Sequence, residues 1–342
     1  MTRKTKLYKY NFFRIIFTII LFPIIVIWSK KLFKSYRDFC YIYPRFGEFT
    51  NKANKFHPKK VNTFEYHLWD LDKMNLNFST FNEKNLEEFE LETEKGKISC
   101  LKAVNKISNK WVIGLHGWTE DKYLALRLVH HFYDKGYNVL TFDAFAHGKS
   151  YGQYTDIGFS SIEMIDQIIV NLKEDYQIDS IGLIGNSMGA STSLLYSQVG
   201  VNKDLITWVI ADCGFSNIKF QYRYYLQNNF FKKSWWLTSF GYTNKFSKIT
   251  KTNQNKYNLL KNMNLNKNTP VFFIHAIGDT FIPYEMSLDM YNKKIEFEIE
   301  SISSIWTPQG SEHVSVIADY YDLYIEKTLN FAIKGEEKKY EK

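Results

Sequence analysis

The sequence predicts an α/β protein with a mostly parallel central sheet and helices on both faces. Short apolar runs alternate with helical patterns along most of the chain, and no internal repeat is present. The 342 residues, 45% of them apolar, suffice for one large core with appendages. The predicted elements are, in order, strands 86–92 and 97–104 as an antiparallel hairpin, strand 110–115, helix 122–135, strand 137–142, helix 161–175, strand 180–184, helix 188–198, strand 205–211, strand 270–275, helix 283–293, a strand near 295–302 and a closing helix.

The junction of strand 180–184 and helix 188–198 reads Gly185-Asn186-Ser187-Met188-Gly189. A Gly-x-Ser-x-Gly sequence between a strand and a helix is typical of a nucleophile elbow, whose tight turn leaves almost no room for side chains at the glycine positions. The next helix directs its N-terminus and the N–H of Met188 towards the place where an oxyanion would form. Ser187 is therefore the candidate nucleophile.

A nucleophilic serine needs a base, an acid that orients the base and a second oxyanion donor. His313, near the end of the chain, is the candidate base. Asp279 follows the apolar strand 271–274 in a loop and is the favoured acid, with Asp143 and Glu312 as alternatives. The strand 111–115 leads into His116-Gly117-Trp118, so the N–H of Trp118 is the candidate second oxyanion donor.

Residues 85–335 resemble the α/β-hydrolase superfamily, and within it the serine hydrolases related to prolyl-oligopeptidase-like and acylglycerol-lipase-like enzymes. The resemblance is carried by the His-Gly turn at 116–117, the segment 143–150, the elbow, the Gly-Asp loop at 278–279 and His313, in the family's order of serine, aspartate and histidine. Segment 143–150 departs from the family pattern, because Phe145 and Ala146 replace the usual arginine and glycine. The resemblance implies an α/β-hydrolase fold with a helical cap at about 217–268. It also implies supporting rather than catalytic roles for His116 and His147.

These observations predict a serine hydrolase that cleaves carboxylic esters, with lipid-derived acyl esters favoured, through an acyl-enzyme on Ser187. A peptidase of the same fold is the first alternative, and a catalytically inactive binding protein is the second. No cofactor is expected, since no strand leads into a phosphate-binding glycine motif. No metal is expected either, because the other histidines lack ligand spacing. Three cysteines do not indicate a disulfide framework.

The N-terminal residues 1–37 predict a membrane anchor. Ile15 to Trp28 is uncharged and almost wholly apolar between basic flanks, and no small residues follow it that would indicate a cleaved signal peptide. The basic residues on the two sides are too evenly matched to fix the orientation, and an extracytoplasmic catalytic domain is the favoured interpretation. Residues 38–84 are predicted to be a connecting segment, and residues 336–342 a disordered tail.

The predicted cap is strongly basic and aromatic. From Cys213 to Gly278 the sequence contains ten lysines and arginines and no acidic residue. No nucleic-acid-binding motif accompanies this charge, so nucleic acid is not expected as a partner. Contact of the cap with an anionic membrane surface is one interpretation, and packing of its aromatic residues onto the sheet domain is the other.

Overall fold

The computed structural model describes residues 11–36, 61–229, 235–299 and 302–340. Its centre is one sheet in the order β1-β2-β4-β3-β5-β6-β7-β8. The first two pairings, β1 with β2 and β2 with β4, are antiparallel, and all the others are parallel. The predicted α/β fold with its opening hairpin is therefore confirmed. The strands are β1 (Glu87–Thr93), β2 (Gly96–Ala103), β3 (Lys110–Leu115), β4 (Asn138–Phe142), β5 (Ser180–Asn186), β6 (Ile206–Asp212), β7 (Val271–Ile274) and β8 (Ser304–Trp306).

Helices cover both faces of the sheet, and each face has its own hydrophobic core. The helices are α1 (Phe12–Ile20), α2 (Phe22–Tyr36), α3 (Phe64–Lys73), α4 (Leu126–Asp134), α5 (Ser161–Asp175), α6 (Met188–Val199), α7 (Ile218–Asn229), α8 (Trp235–Thr250), α9 (Leu259–Asn262), α10 (Glu285–Phe297), α11 (Val316–Asp319) and α12 (Tyr321–Tyr340). Successive residues of β6 show the division between the two cores, since Val209 packs into the core beneath α5 and α6 whereas Trp208 packs into the core beneath α4 and α12.

The strand predicted near 295–302 lies further along the chain, since none of the described residues in that range is in a strand. Apolar and acidic residues alternate there, which is the period of a strand, but α10 continues to Phe297 and β8 begins only at Ser304. The alternation does not mark one buried face, because Ile295 and Ile299 are exposed whereas Phe297 and Ile302 are partly buried against the cores. Helix α10 is instead held by Met286 and Met290, which are buried one turn apart.

The predicted disorder of 336–342 is wrong for residues 336–340, which are the last turn of α12. The charged sequence there gives no apolar pattern, but Glu336 is buried and its carboxylate pairs with Lys110 Nζ at 2.7 Å. It also accepts a hydrogen bond from Ser180 Oγ at 3.2 Å. The first residues of β3 and β5 thus hold the end of the helix. Residues 341–342 lie outside the described part of the chain.

The predicted membrane-spanning anchor is wrong. Among the described residues, no helix combines the length and the apolar character needed to cross a bilayer. The apolar run is divided at Leu21 into α1, with 9 residues, and α2, with 15. Pro23 contributes to this break, since it has no N–H to donate to the carbonyl of Ile19. Helix α2 packs along α8 of the cap, and Ile25 is buried. The basic residues at 1–10, on which the predicted orientation partly rests, lie outside the described residues.

The cap leaves the sheet after β6 and comprises α7, α8 and α9. Three of its described aromatic residues, Tyr222, Trp235 and Phe246, are buried, and Tyr222 and Phe246 lie edge to face with 5.4 Å between ring centroids. The guanidinium of Arg14 in α1 lies 5.9 Å from the ring of Trp235. Packing therefore accounts for these three aromatic residues of the cap.

Candidate active site

Ser187 lies in the turn between β5 and α6 with its backbone in a strained conformation, φ 52° and ψ −112°. Its N–H donates to the carbonyl of Asp212 at 2.8 Å. The two flanking positions must be glycine because other backbone atoms lie too close to them to leave room for a Cβ. A Cβ on Gly185 would lie 2.4 Å from the carbonyl carbon of Gly189, and one on Gly189 would lie 2.1 Å from the oxygen of Leu115. The turn therefore has the geometry that the pentapeptide predicts.

The structure brings Ser187, His313 and Asp279 together, although 126 residues separate the first two in sequence. Ser187 Oγ lies 2.9 Å from His313 Nε2, and His313 Nδ1 lies 2.7 Å from Asp279 Oδ2. Because the carboxylate only accepts, Nδ1 carries the proton and Nε2 is left to accept from the serine hydroxyl. The three side chains form a continuous hydrogen-bonded chain that ends at the serine oxygen.

Several donors hold the Asp279 carboxylate. Its Oδ1 accepts the N–H groups of Phe281 and Ile282 at 2.8 and 2.9 Å. Burial by itself would raise the pKa of Asp279. The charge of His313 and the hydrogen bonds from His275 and His313 outweigh burial and hold this pKa below its ordinary value. Asp279 is therefore ionised wherever His313 could act as a base.

His275, one of the histidines whose spacing in the sequence does not indicate a metal site, is a second histidine on Asp279. Its Nε2 lies 3.1 Å from Asp279 Oδ2 and 3.0 Å from the carbonyl of Ile282, so this nitrogen carries the proton. Its Nδ1 lies 2.7 Å from Ser287 Oγ. The sequence contains one signal for this role, since His275 directly follows β7 and precedes Asp279 by four residues.

The two candidate oxyanion donors lie on opposite sides of Ser187 in the sequence. Met188 begins α6, and its N–H belongs to the first turn, where no preceding carbonyl of the helix can accept it. Trp118 lines the same cleft as Ser187 and His313. The N–H of the neighbouring Gly117 is already donated to Glu120 Oε2 at 2.7 Å. Trp118 thus lines the cleft and Met188 adjoins Ser187 in the chain, and their role as oxyanion donors stays a prediction.

The cleft above Ser187 has a volume of about 290 Å³. Helix α3 contributes Tyr66, Trp69, Asp70 and Lys73 to its wall. The rest comes from the segment 117–124, the elbow, Phe281 and the residues beside His313. None of the described residues in this wall belongs to the cap. Residues 61–84, predicted to be a mere connection, therefore help to shape the cleft, while residues 38–60 lie outside the described residues.

Comparisons with known proteins agree with this geometry. The family model for the alpha/beta hydrolase fold matches residues 110–245. The esterase Pf2001 of Pyrococcus furiosus is similar in structure, with a TM-score of 0.60 and 27% identity over 75% of this chain and 97% of its own. The chain therefore has the α/β-hydrolase fold. The branch within the superfamily is not decided by these matches.

Two further similarities are more partial. The uncharacterized protein YqkD of Bacillus subtilis is 32% identical over 185 residues, which are 54% of this chain and 59% of YqkD. The chain thus spans about three fifths of the length of this curated relative. The acylaminoacyl peptidase of Pyrococcus horikoshii has a TM-score of 0.53 and 17% identity over 72% of this chain and 41% of its own, which shows a shared fold alone.

A largely buried ion network supports the loop that carries Trp118. Glu120 accepts the N–H of Gly117 and, at 3.1 Å, the amide of Asn186. Its carboxylate pairs with Arg127, whose Nη1 also donates to Asp70 Oδ2 in α3 at 2.8 Å. Burial would raise the pKa of Glu120, but Arg127 and these donors lower it. The network therefore connects α3, the loop and the elbow, and no motif in the sequence marks it.

Asp143, the alternative acid, lies in a separate buried cluster. Lys122 Nζ lies 3.1 Å from Asp143 Oδ2, and Asn62 Nδ2 donates to the same oxygen at 2.7 Å. The two loop histidines are also engaged with backbone: His116 Nε2 accepts the N–H of Ala144 at 2.9 Å, and His147 Nδ1 donates to the carbonyl of Phe145 at 2.9 Å. Glu312, the other alternative acid, is exposed and accepts the Thr280 hydroxyl at 3.1 Å.

One group of side chains in the described residues has the composition of a metal site. Cys213, Asp279 and His313 place their ligand atoms within 4.8 Å of one another. Burial, followed by the charges of Asp212 and Asp279, raises the pKa of the Cys213 thiol, whereas a metal binds the thiolate. Asp279 and His313 are also already bonded to each other. The group fits the hydrogen-bonded chain to Ser187 better than it fits a metal ion.

Proposed function

We propose that this protein is a serine hydrolase that cleaves carboxylic acyl esters. The observation that carries the proposal is the hydrogen-bonded chain from Asp279 through His313 to Ser187 Oγ, with contacts of 2.7 and 2.9 Å. Contacts of this length place a base within direct reach of the serine proton and an acid within reach of the base. The strained elbow presents the hydroxyl, and the cleft gives a substrate access to it.

The reaction proceeds in two halves. His313 Nε2 takes the proton of Ser187 as Oγ attacks the ester carbonyl, and the N–H groups of Met188 and Trp118 stabilise the oxyanion of the tetrahedral intermediate. His313 then gives the proton to the leaving alcohol oxygen as the ester C–O bond breaks. Water, deprotonated by His313, attacks the acyl carbonyl; as the bond to Ser187 Oγ breaks, His313 returns the proton to that oxygen and the acid is released. Asp279 keeps the imidazole in the required tautomer throughout.

An ester is favoured over a peptide as the substrate. The match to the Pyrococcus furiosus protein, which is called an esterase, extends over 97% of that protein. The match to the acylaminoacyl peptidase extends over 41% of the peptidase and shows a shared fold alone. The aromatic rings of Tyr66, Trp69 and Trp118 line a cleft of about 290 Å³, which suits a short or medium acyl chain, including one from a lipid.

Labelling with a fluorophosphonate, followed by kinetics, tests the proposal. Wild-type protein should be labelled and Ser187→Ala should not, while Ser315→Ala, a serine two residues from His313, should be labelled normally. p-Nitrophenyl esters of increasing acyl length and aminoacyl p-nitroanilides then separate the two enzyme classes. Faster turnover of the anilides would indicate a peptidase. Absence of labelling in folded wild-type protein would indicate an inactive binding protein.

A further inference from the structure

His275, directly after β7, contacts Asp279 and takes no part in the two half-reactions proposed for Ser187. Its ring Nε2 lies 3.1 Å from Asp279 Oδ2 and 3.0 Å from the carbonyl oxygen of Ile282. Because both oxygens only accept, Nε2 carries the proton and is shared between them. The ring is fully buried and does not line the cleft. His275 can therefore act on the acid of the hydrogen-bonded chain, but not on a substrate.

Ser287 on α10 holds the other side of this ring. Its Oγ lies 2.7 Å from His275 Nδ1, and the Ser287 side chain is fully buried. In the neutral ring Nδ1 accepts, so the serine hydroxyl donates. The backbone N–H of His275 also donates to the carbonyl of Trp306 in β8 at 3.0 Å. The orientation and the tautomer of the imidazole are thus set by α10 and β8, away from the cleft.

The carboxylate of Asp279 has four donors for the four acceptor positions of its two oxygens. Oδ1 accepts the N–H groups of Phe281 and Ile282, and Oδ2 accepts those of His275 and His313. Three of the donors come from the segment around Asp279 and keep their protons throughout the reaction. His313 is the fourth, and it gains and loses a proton. Loss of His275 would therefore leave a position open on the oxygen that faces His313.

The other titratable groups around Asp279 do not replace this donor. Asp212 and Cys213 lie at the end of β6, and Tyr224 lies on α7. Burial, followed by the charges of Asp212 and Asp279, raises the pKa of the Cys213 thiol. Burial also raises the pKa of Tyr224, and the charge of Asp279 adds to that effect. Cys213 and Tyr224 are therefore neutral when Asp279 is ionised, and Asp212 is itself an acid.

We propose that His275 is a positioning residue for the reaction of Ser187, because its Nε2–H holds Asp279 Oδ2 where His313 needs it. This role rests on the proposed function, since it reaches the serine hydroxyl only through Asp279 and His313. Without the donor, Oδ2 is held by His313 alone, and the carboxylate can tilt together with the imidazole. A displacement of about 1 Å in a catalytic group can cost about a hundredfold in rate. The functional chain thus begins at Ser287 and ends at Ser187.

Two amide substitutions separate this role from simple packing. Glutamine carries its amide nitrogen four bonds from Cα, as the Nε2 of histidine is, whereas asparagine carries its polar atoms three bonds away, as Nδ1 is. His275→Gln therefore keeps a donor for Asp279, and His275→Asn keeps only an acceptor for Ser287. We expect kcat of His275→Gln to stay within about threefold of wild type. His275→Asn should lose about tenfold or more in kcat, while KM changes by less than about threefold.

The measurements do not depend on which substrate class is correct. Kinetics use whichever p-nitrophenyl ester or aminoacyl p-nitroanilide the wild type turns over fastest. The rate of fluorophosphonate labelling of Ser187 is measured on the same samples and should follow kcat across the variants. Thermal unfolding shows that each variant is folded.

Two further variants complete the test. His131→Asn is the matched control, because His131 on α4 is also buried, bonds the hydroxyl of Thr328 at 2.9 Å and does not line the cleft. It should keep kcat within about twofold of wild type. Ser287→Ala releases the Nδ1 side of the His275 ring and should lower kcat by about two- to fivefold. It provides the answer if His275→Asn does not fold.

Wild-type kcat in folded His275→Asn would overturn the role and leave the proposed hydrolase intact. Equal losses in the glutamine and asparagine variants would also overturn it, because the ring's packing and not its donor would then matter. A loss confined to KM would do the same, since positioning of the base acts on kcat. Wild-type protein that is neither labelled nor active would instead contradict the proposed function, and the role of His275 with it.

Discussion

Helix α3 and the cap both lie outside the sheet, yet only α3 lines the cleft above Ser187. The cap occupies the insertion between β6 and the Asp279 loop, where a hydrolase of this fold is expected to carry a lid, but its described residues line a different cavity. Helix α3 precedes every strand and is anchored by Asp70 to Arg127 behind the loop that carries Trp118. The position of a segment in the sequence therefore does not determine whether that segment lines the cleft above Ser187. A buried ion network can hold a helix from far away in the sequence against this cleft.

The largest effect should come from neither region, because neither holds a member of the chain from Asp279 to Ser187. Asp279→Ala should lower kcat for a short p-nitrophenyl ester by about 10⁴-fold, since the imidazole loses its orientation and its counter-charge. Asp143→Asn should retain most of the activity of the protein that folds, and thermal unfolding would show its loss of stability. The reverse result, with Asp143→Asn inactive but folded and Asp279→Ala active, would move the acid to Asp143.

The next effect compares how firmly the two regions are attached. Arg127→Met leaves the carboxylates of Asp70 and Glu120 buried without their cation and should lower the free energy of unfolding by about 3–5 kcal/mol. Lys248→Met in the cap removes a cation from a surface that carries other cations, and it should change the free energy of unfolding by no more than about 0.5 kcal/mol. Urea unfolding measures both. Should Arg127→Met fail to fold, Asp70→Asn should still cost about 1–2 kcal/mol. Equal effects in α3 and the cap would contradict the comparison.

A smaller effect concerns the substrate. Trp69 lines the cleft and stacks on Tyr66 with 5.3 Å between ring centroids, so Trp69→Ala should raise KM for a medium-chain ester by about tenfold while kcat changes by less than about threefold. The matched substitution Trp236→Ala, in the cap, should leave both constants near wild type. Initial rates over a range of ester concentrations supply the two constants. A larger change in Trp236→Ala would mean that the cap closes over bound substrate.

The sequence predicts most of the fold and the three residues of the hydrogen-bonded chain, because each depends on local pattern. The apolar runs predict the strands of the sheet and the helices between them. The elbow at Ser187 is a short turn with strict steric demands. His275 leaves a weak signal at the end of β7. The network of Asp70, Glu120 and Arg127 leaves none, since its members come from separate elements and meet only after folding.

Two wrong predictions have the same physical origin. The apolar run from Ile15 to Trp28 is long enough by composition, but the break at Leu21 and the packing of α2 on α8 are not visible in a hydropathy pattern. The charged end at 336–340 looks like a solvated tail, yet Glu336 is buried and pairs with Lys110 of β3. In both segments, contacts with residues that are distant in the sequence determine the structure. A single sequence does not show which distant residues will make these contacts.

The last prediction compares two buried aspartates, one anchoring α3 and one at the root of the cap. Asp70 pairs with Arg127, whereas the carboxylate of Asp212, the last residue of β6, receives only weak contacts from Tyr324 and Cys213 among the described residues. Burial raises the pKa of Asp212 to about 6 from an ordinary value of 3.8, against the opposing charges of His275 and His313. Between these two pH values the folded protein therefore binds a proton that the unfolded chain has released.

The sign of the effect follows from that proton. Stability falls as the pH rises through this window, and Asp212→Asn, which stays neutral, should escape the fall. The variant should therefore match wild type near pH 4 and exceed its free energy of unfolding by roughly 2–3 kcal/mol near pH 8. Asp70→Asn should be less stable than wild type at pH 8, and Asp204→Asn, an exposed control, should show no difference. Urea unfolding at the two pH values provides the comparison, and an Asp212→Asn protein less stable than wild type at pH 8 would show that the ionised carboxylate supports the fold.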